Sequence, residues 1–184
     1  MLTLFLVDKL KLISEPEFIF LKISYRIFAE VVVLPSVVIF TSSIMSARSD
    51  NNMPIIVTGD FNEPSHLDWI LGAENPVSFS LNNNTQFIVN WPISDKMFNV
   101  DMVDVYRYLY PDPIQQNGYT WTPNISLGEV HDRIDFIYCD TNDLIDINNI
   151  HIVGPDPLSD ISVDNYESDH RGVFAIFNIN NSIL

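Results

Sequence analysis

The apolar positions of this chain fall into short runs separated by turn residues. Ile55, Ile56 and Val57 form a β-branched run before Thr58-Gly59-Asp60, and residues 54–58 are predicted to be a strand. Residues 133–139 alternate, with Ile134, Phe136 and Tyr138 on one face, and predict a second strand. Residues 149–153 and 172–179 predict two more, and residues 119–122 a short β-type run. Ser65 stands where it can cap a short helix through Leu71, with Asp68 in its early turns. Ser94 can cap another helical stretch, and residues 101–109 read as a helix stopped by Pro111 and Pro113. Sheets with helices outside them predict an α+β fold, a layered α/β sandwich.

Composition changes that picture near residue 50. Residues 1–50 hold five acids and five bases and contain no Gly, Asn, Gln, His or Trp. The whole chain carries a formal net charge of -15, so the excess negative charge lies in residues 51–184. Residues 1–50 therefore read as an atypical leader to a domain at 51–184. The apolar run 31–45 is interrupted by Pro35 and is shorter than the roughly 20 residues a membrane-spanning helix needs. A buried strand or helix is expected there. Residues 1–6 are apolar but lack a basic start, which makes a poor signal peptide. The single cysteine, Cys139, excludes an intrachain disulfide framework and sits in an apolar run as an expected core thiol.

Three places could carry chemistry. Asp60 and Asn62 set a carboxylate and an amide two residues apart at the end of a strand, and hard divalent cations take such oxygen ligands. The competing reading is a turn in which both bond nearby backbone. Asp135 lies within an apolar strand, where a carboxylate is costly to bury unless paired. His170 is one partner it could have; Arg133 or Arg171 are the others. Ser168-Asp169-His170-Arg171 precedes the last apolar strand. Trp121 could wall a site or fill a core. His131 is expected at the surface.

Thr58-Gly59-Asp60-Phe61-Asn62-Glu63-Pro64, Asp132-Arg133-Ile134-Asp135-Phe136 and Ser168-Asp169-His170, in this order, resemble the endonuclease/exonuclease/phosphatase superfamily. Its members cut phosphate esters with a divalent metal. The resemblance runs from about Met53 to Phe177. The segments Trp91-Pro92-Ile93-Ser94, Val103-Asp104-Val105-Tyr106-Arg107 and Tyr110-Pro111-Asp112-Pro113 are similar to poorly characterised phosphohydrolase-like members.

The resemblance implies half of a two-sheet sandwich and a hydrolase of the phosphodiesterase, phosphatase or nuclease type. It implies that Asp135 orients His170 as general base or phosphate-holding group, and that Asp60 activates or orients water. Asn62 would steady the transition state, and Asp169, with Asp60, would hold Mg2+ or Mn2+. Asn62, Trp121 and His170 would meet the substrate. The superfamily's first half brings an Asn, a metal-binding Glu and a second His, none of which residues 1–50 supply in the expected context. The chain thus reads as the C-terminal half of the domain, with weak activity or activity dependent on a missing N-terminal segment. A non-catalytic remnant is the alternative. The acidic balance disfavours long nucleic acid, whose binding rests on Lys and Arg, and suits a small phosphate ester.

Overall fold

The computed structural model describes residues 3–6, 41–42, 44–46, 48, 55–73, 89–124, 130–140 and 145–179. Most of the apolar run 31–45 lies outside them, as do Glu15 and Glu17. Among the described residues, no helix is long and apolar enough to cross a membrane.

The fold is α+β, with two small sheets and short helices. The first sheet has the order β1-β2-β4-β3: β1 (Thr3–Leu6), β2 (Ile55–Asp60), β4 (Asp135–Asp140) and β3 (Met102–Asp104). All its pairings are antiparallel. The second has the order β6-β5-β7: β6 (Ile161–Ser162), β5 (Ile145–Gly154) and β7 (Gly172–Ile179). Two helices, α1 (Pro92–Asn99) and α2 (Val105–Leu109), flank β3 in the chain.

The sheets share one core. Ile56, Ile137 and Cys139 from the first meet Ile150, Ile152, Val173, Ala175 and Phe177 from the second, with Val105 and Tyr106 of α2. The alternation in β7 explains its side of the contact: Val173, Ala175 and Phe177 are buried, while Phe174 and Ile176 are only partly so. Each large apolar side chain fully buried this way contributes about 1.5–3 kcal/mol. The opposite face of the first sheet packs Ile55, Val57, Phe136 and Tyr138 against Met97 of α1 and Ile44. Both faces of β2 and β4 are therefore covered, which is why Ile55-Ile56-Val57 reads as a continuous apolar run rather than an alternating one. Cys139 is fully buried, and burial pushes its thiol up to about 12. It is an inert core thiol, as expected.

Three helix expectations need correction. Residues 101–109 are not one helix. Asp101 has φ 57°, Met102–Asp104 pair with β4, and only Val105–Leu109 is helical. Asp104 makes the break, because its carboxylate accepts from the Tyr106 and Arg107 amides and caps α2. Ser94 caps nothing: it lies inside α1, which starts with Pro92 in the first turn. The Ile93 amide instead donates to Glu63 Oε1 at 2.6 Å. After Ser65 the chain makes a turn rather than a helix, with the Asp68 and Trp69 amides bonded to the Ser65 carbonyl. Asp68 then turns inward, where it binds Arg107 and Arg133.

Candidate active site

β2 and β4 are antiparallel neighbours whose register sets Asp60 opposite Asp135. Each carboxylate thus reaches the same end of the first sheet from a different strand. Asp135 is buried, and its Oδ2 lies 2.8 Å from His170 Nδ1. Asp60 completes the group. One ligand atom from each of Asp60, Asp135 and His170 lies within 4.8 Å of the others.

This arrangement answers the open question about Asp135. Arg133 is bound to Asp68 and Asp104. Arg171 donates to the carbonyls of Thr122 and Pro123 at 2.9 and 3.1 Å. Neither takes the Asp135 carboxylate, and the imidazole does. A carboxylate at Nδ1 selects the Nδ1–H tautomer of the neutral ring and leaves Nε2 as its basic nitrogen.

Charge is concentrated here. Burial raises the Asp60 pKa above its ordinary value, and the facing Asp135 carboxylate raises it further. The bond from the Asn62 amide to Asp60 Oδ1, at 2.8 Å, works the other way. Burial disfavours the His170 cation, yet the Asp135 hydrogen bond and the charges of Asp135, Asp60 and Asp169 together raise its pKa. Two carboxylates facing each other in a partly buried site, with an imidazole beside them, form a donor set that suits a cation.

The other expected residues are placed less closely. The strand ends at Asp60, so its alternation does not carry through to Asn62. Asn62 is exposed, with φ 50°, in a turn closed by its own amide on Asp60. The local turn and the shared site therefore coexist at Asp60. Asp169 is exposed and lies outside the group of three, acting on His170 through its charge. The Trp121 ring meets the His170 ring edge-on, with centroids 4.9 Å apart. Ser168 shapes the loop by accepting from the His170 amide at 3.2 Å. His131 is half-buried rather than exposed, with Nδ1 3.1 Å from the Thr122 carbonyl.

Two supporting residues went unnoticed in the sequence. Thr120 is fully buried, and its Oγ1 accepts from the amides of Ile134 and Asp135 at 3.0 and 3.1 Å. Tyr166 donates its hydroxyl to the His170 carbonyl at 2.7 Å. The only sequence signal for Thr120 was the β-type run 119–122, in which Tyr119, Thr120 and Thr122 are all buried.

The chain matches no family model. It is similar to an uncharacterized protein of Caenorhabditis elegans, with 28% identity over 135 residues. The match covers 67% of this chain and 40% of that relative's length.

Proposed function

We propose that this chain is a divalent-metal-dependent hydrolase of phosphate esters, built as a partial sandwich of the endonuclease/exonuclease/phosphatase type. The observation that carries this reading is the convergence of Asp60 with the Asp135–His170 pair. Three residues from three separate sequence motifs supply two carboxylates and an oriented imidazole in one place.

Mg2+ or Mn2+ would be held by Asp60 and Asp135, whose mutual repulsion a cation relieves. Bound there, a hard dication supplies charge neutralisation to phosphoryl oxygens. The rest falls to the chain. His170 Nε2 accepts a proton from the attacking water as its oxygen bonds to phosphorus and the ester oxygen leaves. Asp135 holds the ring through Nδ1 and stabilises the imidazolium that results. Asp60 orients the water, Asn62 steadies the charged phosphoryl group, and Trp121 walls the histidine. Asp169 adds negative charge beside the imidazole.

Asp60 and Asp135 alone would make a weak site for a hard dication, which would keep most of its water there. Turnover is therefore expected to be slow, since positioning dominates phosphoryl transfer. The test is hydrolysis of bis(p-nitrophenyl) phosphate by the purified chain with Mg2+ or Mn2+. Asp60→Ala and His170→Ala are the controls. Slow, metal-dependent turnover that both substitutions abolish supports the reading. A rate no higher than that of metal alone, or one unchanged by the substitutions, overturns it in favour of a non-catalytic chain.

A further inference from the structure

Asp135 and His170 belong to different sheets. Asp135 opens β4 in the first, and His170 sits just before β7 in the second. No ladder joins the two sheets among the described residues, so strand pairing alone does not fix the distance between these side chains. Something else must hold a 2.8 Å contact across the gap.

We propose that Thr120 is the positioning residue that sets the Asp135–His170 pair. It bonds to both sides of the gap. On the first sheet's side its Oγ1 takes the amides of Ile134 and Asp135, and its own amide donates to the Asp132 carbonyl at 3.0 Å. On the second sheet's side its carbonyl takes the Arg171 amide at 2.7 Å, one residue past His170. The next residue, Trp121, forms a bridge with Asp132 and lays its ring against the imidazole. Arg171 closes the arrangement from behind. It is buried, and its guanidinium donates to the carbonyls of Thr122 and Pro123. Residues 120–123 are thus fastened to both sheets, with Thr120 at the point where the two sets of bonds meet.

The hydroxyl is the specific requirement. Two adjacent backbone amides, those of Ile134 and Asp135, would otherwise be buried without acceptors. Valine has nearly the same shape as threonine and offers no acceptor. Serine keeps the acceptor and loses only a methyl group. The inference presumes that the Asp135–His170 pair is functional, yet its primary readout needs neither substrate nor metal.

The experiment uses the full chain with 15N-labelled histidine, at alkaline pH, where the imidazole is neutral. The wild type and Thr120→Ser are expected to show His170 as the Nδ1–H tautomer, and Thr120→Val to lose that preference while remaining folded. Hydrolysis of bis(p-nitrophenyl) phosphate is expected to fall about tenfold to a hundredfold in Thr120→Val and to be restored in Thr120→Ser. If Thr120→Val does not fold, Thr120→Cys, with its weakly accepting thiol, gives the same comparison. A valine or cysteine variant that keeps the wild-type tautomer overturns the proposal, as does a serine variant that loses it. A wild type with the Nδ1–H tautomer and no turnover leaves this inference standing and refutes only the hydrolase reading.

Discussion

Asp60 and Asp135 oppose each other on one rung of an antiparallel ladder, and like charges in that position destabilise a sheet. The facing carboxylates therefore cost the fold some stability, which a bound cation would offset. Asp60→Asn keeps an oxygen to accept the Asn62 amide and removes the repulsion. In the absence of metal, this variant is expected to melt higher than wild type. In millimolar Mn2+ the order is expected to reverse, because the wild type gains stability from the cation and the variant does not. Thermal melts with and without Mn2+ check both halves. The histidine adds a pH dependence. The folded state binds the His170 proton more tightly than the unfolded chain, whose value is near the ordinary 6.5. That contribution is complete below 6.5 and is lost as pH rises through the raised value. Asp60, also raised, contributes with the same sign from its ordinary 3.8 upward. Metal-free wild type should thus show a falling urea midpoint as pH rises past 6.5. In His170→Gln that upper limb should flatten. A midpoint that rises over this range in wild type would contradict the paired geometry.

At the scale of elements, two contacts outside the site hold its strands in place. Asp140 ends β4 and is buried. It accepts from the Ile55 amide that starts β2 and from the Arg48 guanidinium, which also donates to the Val100 carbonyl. Arg48 thus joins the helical residues near position 44 to the first sheet, beside buried Ile44. Removing one partner of a buried pair costs about 3–5 kcal/mol. Arg48 is about one-third exposed, so Arg48→Ala is expected to cost about 1–3 kcal/mol, scaled down for solvent screening. Urea unfolding would read this as a lower midpoint with an unchanged slope. Gly118 is the second contact. Its φ is 69°, and a Cβ there would run into the Tyr106 ring. Gly118→Ala is expected to destabilise by about 1–3 kcal/mol, from backbone strain together with the displaced ring. These contacts show what the sequence could convey. Residues 172–179 were legible as β7 because alternation and burial agree there. That Asp135 needs a partner was legible, because a carboxylate within an apolar strand is costly to bury alone; the residues left His170, Arg133 and Arg171 as candidates, and only the resemblance singled out His170. The role of Asp104 was hidden, since a residue that both ends a strand and caps a helix satisfies neither period. Asp68 was hidden too: it read as an acid in the first turns of a helix, and only the fold shows it buried with Arg107 and Arg133. The same holds for Thr120, whose role depends on bringing together two sheets that the chain order keeps apart.

For the whole molecule, the distribution of cations matters more than the net charge alone. The chain has nine Lys and Arg in all, and Arg107, Arg133 and Arg171 are buried. Two of them neutralise Asp68 and Asp104 inside the fold, and the third serves backbone carbonyls. Few cations remain to meet an anion from outside, against a formal total of -15. Long-range electrostatics therefore oppose the approach of a phosphate ester, and under the proposed function a bound cation would have to overcome this locally. Salt should weaken the opposition, since the screening length falls to about 10 Å at 0.1 M. At saturating Mn2+, kcat/KM for bis(p-nitrophenyl) phosphate is expected to rise between 10 and 150 mM NaCl, by about two- to threefold for a singly charged substrate. Most enzymes that bind polyanions through basic surfaces behave in the opposite way, because salt releases the counterion advantage. A duplex oligonucleotide should for the same reason fail to compete with the small diester at either salt concentration. A kcat/KM that falls with salt, together with competition by the duplex, would mean that the remaining Lys and Arg gather at the mouth of the site. The preference for a small substrate would then be wrong.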